Sequence, residues 1–151
     1  MIFREAKIED IKYIQIVRNS VTENTLSNPD IVTDNDCIEF LTVRGKGWVC
    51  EVENQIVEFS IVDLKNNNIW ALFLQPEFEG KRIGRKLHDI MLDWYFKQTK
   101  IKVWLGTSPS TRAEIFYRKS GWTAVGTHGK DEIKFEITFD KWSEIKKNNA
   151  F

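Results

Sequence analysis

The sequence predicts a mixed α/β (α+β) fold, with a mostly antiparallel central sheet of six to seven strands and helices on both faces. Segments of extended, apolar-rich pattern alternate with segments whose apolar residues recur every three to four positions. Two short turns follow each other between residues 48 and 69, as in an antiparallel meander. The helix expected from residue 83 must carry the chain back across the sheet, so the strand after it should run parallel to the strand before it.

The N-terminal third predicts a short strand followed by two helices. Residues 6–21 place apolar side chains at helical spacing, whereas residues 22–33 are polar and are expected to form a loop. Asp34 or Asp36 is placed to cap the second helix, which should run to about residue 42 before glycines interrupt it.

The remainder of the chain predicts six more strands and two more helices. A helix is expected from Ile83, and another begins after Ser108 or Ser110, either of which can cap it, and ends at Gly121. The last ten residues are expected to form a loosely attached tail. The strands are expected at residues 48–52, 56–62, 69–74, 102–106, 122–127 and 132–139.

The composition indicates one globular domain that spans residues 1–151, with 42% apolar and 29% charged residues. The 22 basic and 22 acidic side chains cancel, which argues against nucleic acid or a membrane surface as a partner. Without a long apolar segment or a signal-like start, the protein is expected in the cytoplasm. Cys37 and Cys50 are expected to be reduced and buried, and with only two histidines no metal site is expected.

The junction between the 69–74 strand and the following helix indicates an anion site. Four cations crowd the start of this helix, where the macrodipole already presents positive charge, so they are unfavourable unless an anion lies among them. Main-chain N–H groups near Gly80 and Gly84 can bind such an anion, and a phosphate or pyrophosphate is the natural occupant. The alternative is a solvated basic face. The four cations are Lys81, Arg82, Arg85 and Lys86.

This junction resembles motif A of the GNAT acyl-CoA N-acyltransferases, Q/R-x-x-G-x-G/A after a strand that ends in a V-x-P-like sequence. The segment Glu79-Gly80-Lys81-Arg82-Ile83-Gly84 stands in that register, after Leu74-Gln75-Pro76. Gly84 keeps the second glycine of the motif. Glu79 stands where Gln or Arg is usual, and Arg82 stands where the first glycine is usual.

The C-terminal third resembles motif B of the same family, N-x-x-A-x-x-F/L-Y-x-x-x-G-F/W. Ala113, Tyr117 and Gly121 fall in register, while Ser110 replaces the usual asparagine. The order of predicted strands and helices is also similar to that of the family. The resemblance therefore covers nearly the whole chain.

This resemblance implies the GNAT fold, including a splayed parallel strand pair, and transfer of an acetyl group from acetyl-CoA to an amine of a small molecule or a protein. The amine would attack directly in a ternary complex, and Tyr117 would be the acid that protonates the leaving thiolate. No metal is implied. The residues implied to contact acetyl-CoA are Phe73, Leu74, Gln75, Glu79, Gly80, Lys81, Arg82, Ile83, Gly84, Arg85, Ser110 and Phe116.

The general base is left unassigned by the resemblance. Families of this kind often place Glu or His early on the central strand, where this chain has Asn68 and Trp70. Glu58, Asp63 and Glu136 on neighbouring strands are the candidates, although a surface carboxylate is the commoner explanation for each.

The acceptor pocket would be formed by residues 22–34, the second helix and the last hairpin. Its acidic residues could attract a cationic amine, although simple solvation is the more common role of such residues. His88 is expected to be solvated, and His128 is expected to be a turn residue. The acidic residues are Glu23, Asp30, Asp34 and Asp36.

Two other classes of function remain open at this point. A non-catalytic acyl-CoA-binding sensor or pseudoenzyme would keep the cofactor cleft without the missing base. A nucleic-acid-binding domain would use the cations of residues 81–86, but the neutral net charge argues against it. An amine acceptor is the expected partner, and a homodimer is an open alternative.

Overall fold

The computed structural model describes residues 1–21, 24 and 31–149. The chain divides into two compact units, Met1–Tyr95 and Phe96–Phe151. In chain order the elements are β1 (Ile2–Glu5), a 3-10 turn (Ile8–Asp10), α1 (Ile11–Ser20), α2 (Asp34–Glu39), a π-helical turn (Phe40–Arg44), β2 (Gly45–Val52), β3 (Gln55–Asp63), β4 (Asn68–Leu74), a 3-10 turn (Pro76–Phe78), α3 (Ile83–Gln98), β5 (Val103–Thr107), α4 (Arg112–Lys119), β6 (Thr123–His128), β7 (Glu132–Ile137) and α5 (Phe139–Asn148).

The first unit contains an antiparallel sheet in which β1, β2, β3 and β4 are neighbours in that order. A β-bulge interrupts the pairing of β2 with β3, since Cys50 pairs with Glu58 but Glu51 pairs with Ile56. Val57 is the extra residue of this bulge. As a result Ile56 packs in the same hydrophobic cluster as Phe59, three residues later, whereas Val57 packs in another.

One of these clusters lies under α1. Ile14 and Val17 of this helix pack on Val49, Phe59 and Ile61 of the sheet, all of which are buried. Their spacing along α1 is the helical spacing that the sequence predicts. The other cluster joins Ile83, the first residue of α3, to Cys50 and Val57.

The second unit contains an antiparallel sheet in which β7 lies between β5 and β6. On one face, Phe135 contacts the ring of Tyr117 from α4, with the ring centroids 6.1 Å apart. On the other face, Gly106 pairs with Lys134, whose ammonium lies 5.1 Å from the centroid of the Trp104 ring. The sheet therefore has an aromatic face beneath α4 and a more polar face opposite.

The fold class is confirmed, because the strands and helices of the described residues follow the predicted order and the strand pairs within each unit are antiparallel. Among the described helices, none is both long and apolar enough to cross a membrane.

The predicted caps of two helices are wrong. Thr33, and not Asp34 or Asp36, caps α2, because its hydroxyl accepts from the N–H of Asp36 at 3.1 Å. Asp36 completes a capping box by accepting from the Thr33 N–H at 2.9 Å. Thr111, and not Ser108 or Ser110, caps α4, since its hydroxyl accepts from the Glu114 N–H at 3.2 Å.

Two element boundaries also differ from the predictions. The helix predicted from residue 6 is preceded by a 3-10 turn and begins at Ile11. Gly45 and Gly47 lie within β2, where an added side chain would strike the Val62 carbonyl in one case and Leu41 in the other. The glycines therefore permit close packing of the strand.

The predicted C-terminal tail is an ordered helix. Thr138 caps α5 by accepting from the Lys141 N–H at 3.1 Å, and Trp142 is buried. The Phe139 ring, which was expected at the end of a strand, contacts Phe96 with the ring centroids 5.8 Å apart. Trp142 is the buried residue of α5, and one such position is too short an apolar pattern to indicate a helix.

Candidate active site

The loop between β4 and α3 holds two residues in the left-handed region of backbone space. Gly80 has a φ of +80° and Arg82 has a φ of +62°. Alternation of left-handed residues with ordinary ones can turn successive N–H groups toward a common point, which forms an anion-binding concavity. Residues 79–82 are all exposed, so an anion can reach them.

Ile83 fixes the start of α3 at the end of this loop. Its side chain is buried against Cys50 and Val57, and the first helical hydrogen bond runs from the Lys86 N–H to the Arg82 carbonyl at 3.4 Å. The first N–H groups of a helix usually have no acceptor within the helix. They are positioned to bind an anion.

The cations of this segment stay near the surface. Lys81 lies 5.4 Å from the centroid of the Phe78 ring, and Lys86 lies 5.9 Å from that of the Phe3 ring. Aromatic rings support ammonium groups in such positions while leaving them accessible. The two lysines are therefore available to neutralise a bound anion.

The two glycines of the motif occupy different structural environments. Gly80 adopts a backbone conformation that side chains disfavour, although an added Cβ there would meet nothing within 4 Å. Gly84 lies in α3 without a positive φ, and a Cβ there would point at the carboxyl of Glu58, 3.5 Å from Oε2. Gly84 therefore lies directly above a buried carboxyl group.

The end of β4 offers part of its main chain. Gln75 is buried, its N–H donates to the Val57 carbonyl at 2.8 Å, and its carbonyl accepts from the Phe78 N–H at 3.0 Å. Of the three residues expected to pair with the pantetheine arm, Gln75 has its N–H committed to β3. Phe73 and Leu74 pair with Phe59 and Glu58 on that same strand.

Tyr117 is held in an aromatic cluster. Its ring meets Phe116 at 5.3 Å and Trp122 at 5.6 Å between centroids, and both contacts are edge-on. Gly121, with a φ of +96°, ends α4, and the Trp122 N–H returns to the Tyr117 carbonyl at 3.1 Å. These contacts fix the ring of the predicted catalytic acid.

Ser110 replaces the usual asparagine of the motif in a left-handed conformation, with a φ of +61°. Asparagine tolerates this conformation better than serine does, which is a physical reason for the asparagine that the motif usually has at this position. The Ser110 N–H donates to Oε1 of Glu114 at 2.8 Å, and this bond holds the turn before α4. Ser110 is exposed and Phe116 is half-buried.

The three candidate bases differ in environment. Asp63 binds Arg44 at 2.8 Å and accepts the N–H groups of Lys65 and Asn66, so it has a structural role. Glu136 pairs with Lys102 at 3.1 Å. Glu58 is 1% exposed, contrary to the surface position that was the commoner expectation, and burial raises its pKa well above the usual range.

The burial of Glu58 was hidden by its sequence pattern. Polar residues at 58 and 60 alternate with apolar ones, which is typical of a strand with one face in water. In the structure the first turn of α3 covers the face of β3 that carries Glu58, and Gly84 lies above its carboxyl group. A strand pattern does not show which of its faces a later helix will cover.

The predicted environment is wrong for His88 and close to the observed one for His128. His88 is fully buried rather than solvated; its Nδ1 lies 2.9 Å from Asp89, and burial lowers its pKa. His128 lies at the end of β6 in the last hairpin, near its predicted place. Its ring is 4.8 Å from that of Trp104, and its Nε2 is 4.0 Å from Oε1 of Glu132.

Much of the predicted acceptor loop, including Glu23 and Asp30, lies outside the described residues. The first unit contains a cavity of ≈ 50 Å³ among its described residues. The guanidinium of Arg18, which lines this cavity, lies 4.0 Å from the centroid of the Phe73 ring. The cavity is lined by Ile14, Gln15, Arg18, Val32, Cys37, Phe59, Trp70 and Ala71.

The sequence matches the family described as the acetyltransferase (GNAT) domain over residues 44–124. This range includes β2 to β4, the loop with Gly80 and Arg82, and Tyr117. The chain belongs to the GNAT acetyltransferase family. No curated protein sequence matches the chain at a significant level.

Solved structures show the same fold at low sequence identity. The PaiA N-acetyltransferase of Thermoplasma acidophilum, in complex with coenzyme A, has a TM-score of 0.76 and 15% identity over 91% of this chain and 98% of that one. A GNAT-family acetyltransferase of Staphylococcus aureus has a TM-score of 0.77 and 20% identity over 91% and 98%. The ribosomal-protein-alanine N-acetyltransferase of Brucella melitensis has a TM-score of 0.73 and 18% identity over 92% and 100%.

Proposed function

We propose that this protein is an N-acetyltransferase that moves the acetyl group of acetyl-CoA to an amine of a small molecule or a protein, by direct attack in a ternary complex. The observation that carries the proposal is the loop before α3, where the left-handed residues Gly80 and Arg82 precede a helix start rich in cations. In a family of acetyltransferases, this arrangement suits the diphosphate of coenzyme A.

In this proposal the diphosphate lies against the main-chain N–H groups from Gly80 to Arg85, and the side chains of the loop neutralise its charge. Phe73 and Leu74 provide main-chain groups for the pantetheine amides, and the Gln75 carbonyl has its second lone pair to offer. Ser110 and Phe116 complete the set of predicted contacts. Five more residues belong to the proposed cofactor site because they form the loop and the helix start around the diphosphate: Glu79, Lys81, Arg82, Ile83 and Gly84.

The chemical step requires one proton to be delivered and one to be removed. The nitrogen of the acceptor amine bonds to the thioester carbonyl carbon, the carbon–sulfur bond breaks, and the sulfur leaves as a thiolate. Tyr117 donates its phenolic proton to that thiolate, and solvent then restores the proton to the tyrosine. The amine loses its extra proton to water or to a base that the sequence does not identify.

The comparisons support an amine as the acceptor. The Brucella melitensis structure is that of an enzyme acting on a ribosomal-protein alanine, and the Thermoplasma acidophilum structure is a complex with coenzyme A. At 15% and 18% identity these proteins share the fold of this chain, and the acceptor itself has to be found by assay.

The proposal is tested with purified protein, acetyl-CoA and a broad panel of small amines and peptides with free amino groups. We expect thiol release that depends on one class of amine, together with calorimetric binding of coenzyme A. Absence of both coenzyme binding and turnover would contradict the proposal. Coenzyme binding without turnover on any amine would instead support a non-catalytic acyl-CoA-binding protein.

A further inference from the structure

Glu58 is a buried carboxyl group with no evident structural task. Its side chain lies beneath the first turn of α3, with Oε2 3.5 Å from the position that a Cβ on Gly84 would occupy. The residue is 1% exposed, and its Oε1 has no hydrogen-bond partner among the described residues. Buried polar groups are nearly always hydrogen-bonded, so an exception of this kind calls for a functional explanation.

The bulge in β3 is what places Glu58 there. Val57 is the extra residue, so Val57 and Glu58 both lie on the side of the sheet where Ile83 packs. Glu58 pairs with Cys50 on one neighbouring strand and with Leu74 on the other. Its position is therefore set by strand register.

The ionisable groups on the elements around Glu58 include a thiol on β2 and, on α3, a histidine and two cations. Burial raises the pKa of Glu58 well above its usual range. On β2, the Cys50 thiol has a pKa raised to about 11, mainly by burial and partly by Glu58, so it remains neutral. On α3, His88 is bound to Asp89, and Arg85 and Lys86 are the cations of the first turns.

A negative charge at Glu58 would oppose a diphosphate at the same helix start. Both would lie at the positive end of α3, and their repulsion would be only weakly screened because Glu58 is buried. A neutral carboxylic acid in this place would not repel the diphosphate. The protonation of Glu58 and the binding of the cofactor are thus expected to favour each other.

We propose that Glu58 sets the affinity of the cofactor site by its charge, so that the site binds the diphosphate of acetyl-CoA well only when Glu58 carries a proton. This inference rests on the proposed function, because that function places the diphosphate at the start of α3. It makes Glu58 a positioning residue of the cofactor site, not a base for the acceptor amine.

The experiment is calorimetric titration of the full chain with acetyl-CoA between pH 7.5 and 9, in pairs of buffers with different ionisation enthalpies. Phosphate groups, with a second pKa of about 6, are fully ionised in this range, and acetyl-CoA has no free thiol. At pH values above the pKa of Glu58 in the free protein, the wild type should take up a proton on binding and lose up to about tenfold in affinity per pH unit. Glu58→Gln should bind without proton uptake and with a flat pH profile.

Glu53→Gln, in an exposed turn, is the matched control and should keep the pH dependence of the wild type. A flat wild-type profile without proton uptake would overturn the inference, and so would an equal slope in Glu58→Gln. The wild-type proton uptake decides the question even where Glu58→Gln does not fold. If neither protein binds acetyl-CoA at any pH, the proposed function fails instead.

Discussion

Arg82 holds a left-handed backbone conformation at the position where the family motif usually has glycine. For a residue with a Cβ this conformation costs about 1–2 kcal/mol. Arginine at this position adds a cation where a diphosphate is proposed to bind.

Arg82→Gly should therefore raise the free energy of unfolding by about 0.5–1 kcal/mol, because relief of strain exceeds the added freedom of the unfolded chain. Lys81→Gly is the control, since Lys81 has no positive φ, and it should not stabilise the protein. Urea unfolding of the three proteins measures the difference. Equal effects of the two substitutions would contradict the assignment of strain to Arg82.

Tyr117 allows a substitution that removes its hydroxyl and keeps its packing. The ring lies among Phe116, Trp122 and Phe135, and a phenylalanine fits in the same space. If Tyr117 donates the proton, Tyr117→Phe should lower turnover by about 10²-fold or more with little change in coenzyme affinity. Steady-state rates and calorimetric titration measure the two quantities, and unchanged turnover would remove Tyr117 from the acid role.

Glu58 should also make stability depend on pH. Its pKa in the folded protein is raised, so between the unfolded pKa, near 4.5, and the folded pKa the native state binds the extra proton. Stability should therefore fall as pH rises, by up to about 1.4 kcal/mol per pH unit, across that window.

Glu58→Gln should lack this slope and become more stable than the wild type as pH rises above 5. Denaturant unfolding at several pH values from 5 to 8 measures the difference between the two proteins. A constant difference across this range would show that Glu58 does not titrate abnormally in the folded state.

At the scale of single residues, the sequence predicted a candidate site from spacing along the chain, but it did not predict the burial of the residues around that site. Gly80, Arg82 and Tyr117 were assigned to the candidate site through motif register, because register depends on spacing along the chain. The burial of Glu58 and His88 was not predicted, since it depends on which elements cover them. That information arises only from tertiary packing.

Helix boundaries show the same limit at the scale of elements. Threonine hydroxyls cap α2, α4 and α5, each by accepting from the N–H three residues later. The sequence offers several oxygen-bearing side chains near each helix start, and propensity alone does not distinguish them. The cap is selected by the backbone conformation that enters the helix.

Helix α5 allows the clearest test at this scale. Trp142 is 4% exposed, and Ile145 Cδ1 lies so close to Gly121 that a side chain at 121 would strike it. Truncation after Thr138 should therefore destabilise the protein by at least about 3 kcal/mol, the usual loss for removal of a buried tryptophan. Removal of residues 150–151 alone is the control, and thermal unfolding measures both.

A truncated protein that melts with the control would show that α5 is the loose tail that the sequence indicated. The substitution Trp142→Ala separates the packing of this side chain from the presence of the helix. It should account for most of the loss, because the helix itself has capping interactions worth only about 1 kcal/mol.

At the scale of the whole molecule, the proposed cofactor should stabilise the folded state. A ligand that binds only the native protein adds about 2.7 kcal/mol to the free energy of unfolding at a concentration of 100 times its Kd. Coenzyme A should therefore raise the thermal midpoint in a concentration-dependent manner. Adenosine lacks the diphosphate and is the matched control, for which we expect little or no shift.

An equal shift with adenosine and with coenzyme A would place the binding energy away from the loop before α3.

The fold class and element order were predictable as a whole, because hydrophobic periodicity and turn spacing repeat over the entire chain. The acceptor was not, since it depends on the shape and charge of a pocket.

Gly106 on β5 has a consequence for engineering of the last hairpin. Any side chain at this position would meet Glu132 Oε1 at 2.7 Å and His128 Cδ2 at 2.8 Å. The side chains of the hairpin therefore occupy the space that a side chain at residue 106 would need. A hairpin grafted from another acetyltransferase will fit only if its side chains also pack against a glycine at this position. Libraries that vary residues 128–132 should leave residue 106 fixed as glycine.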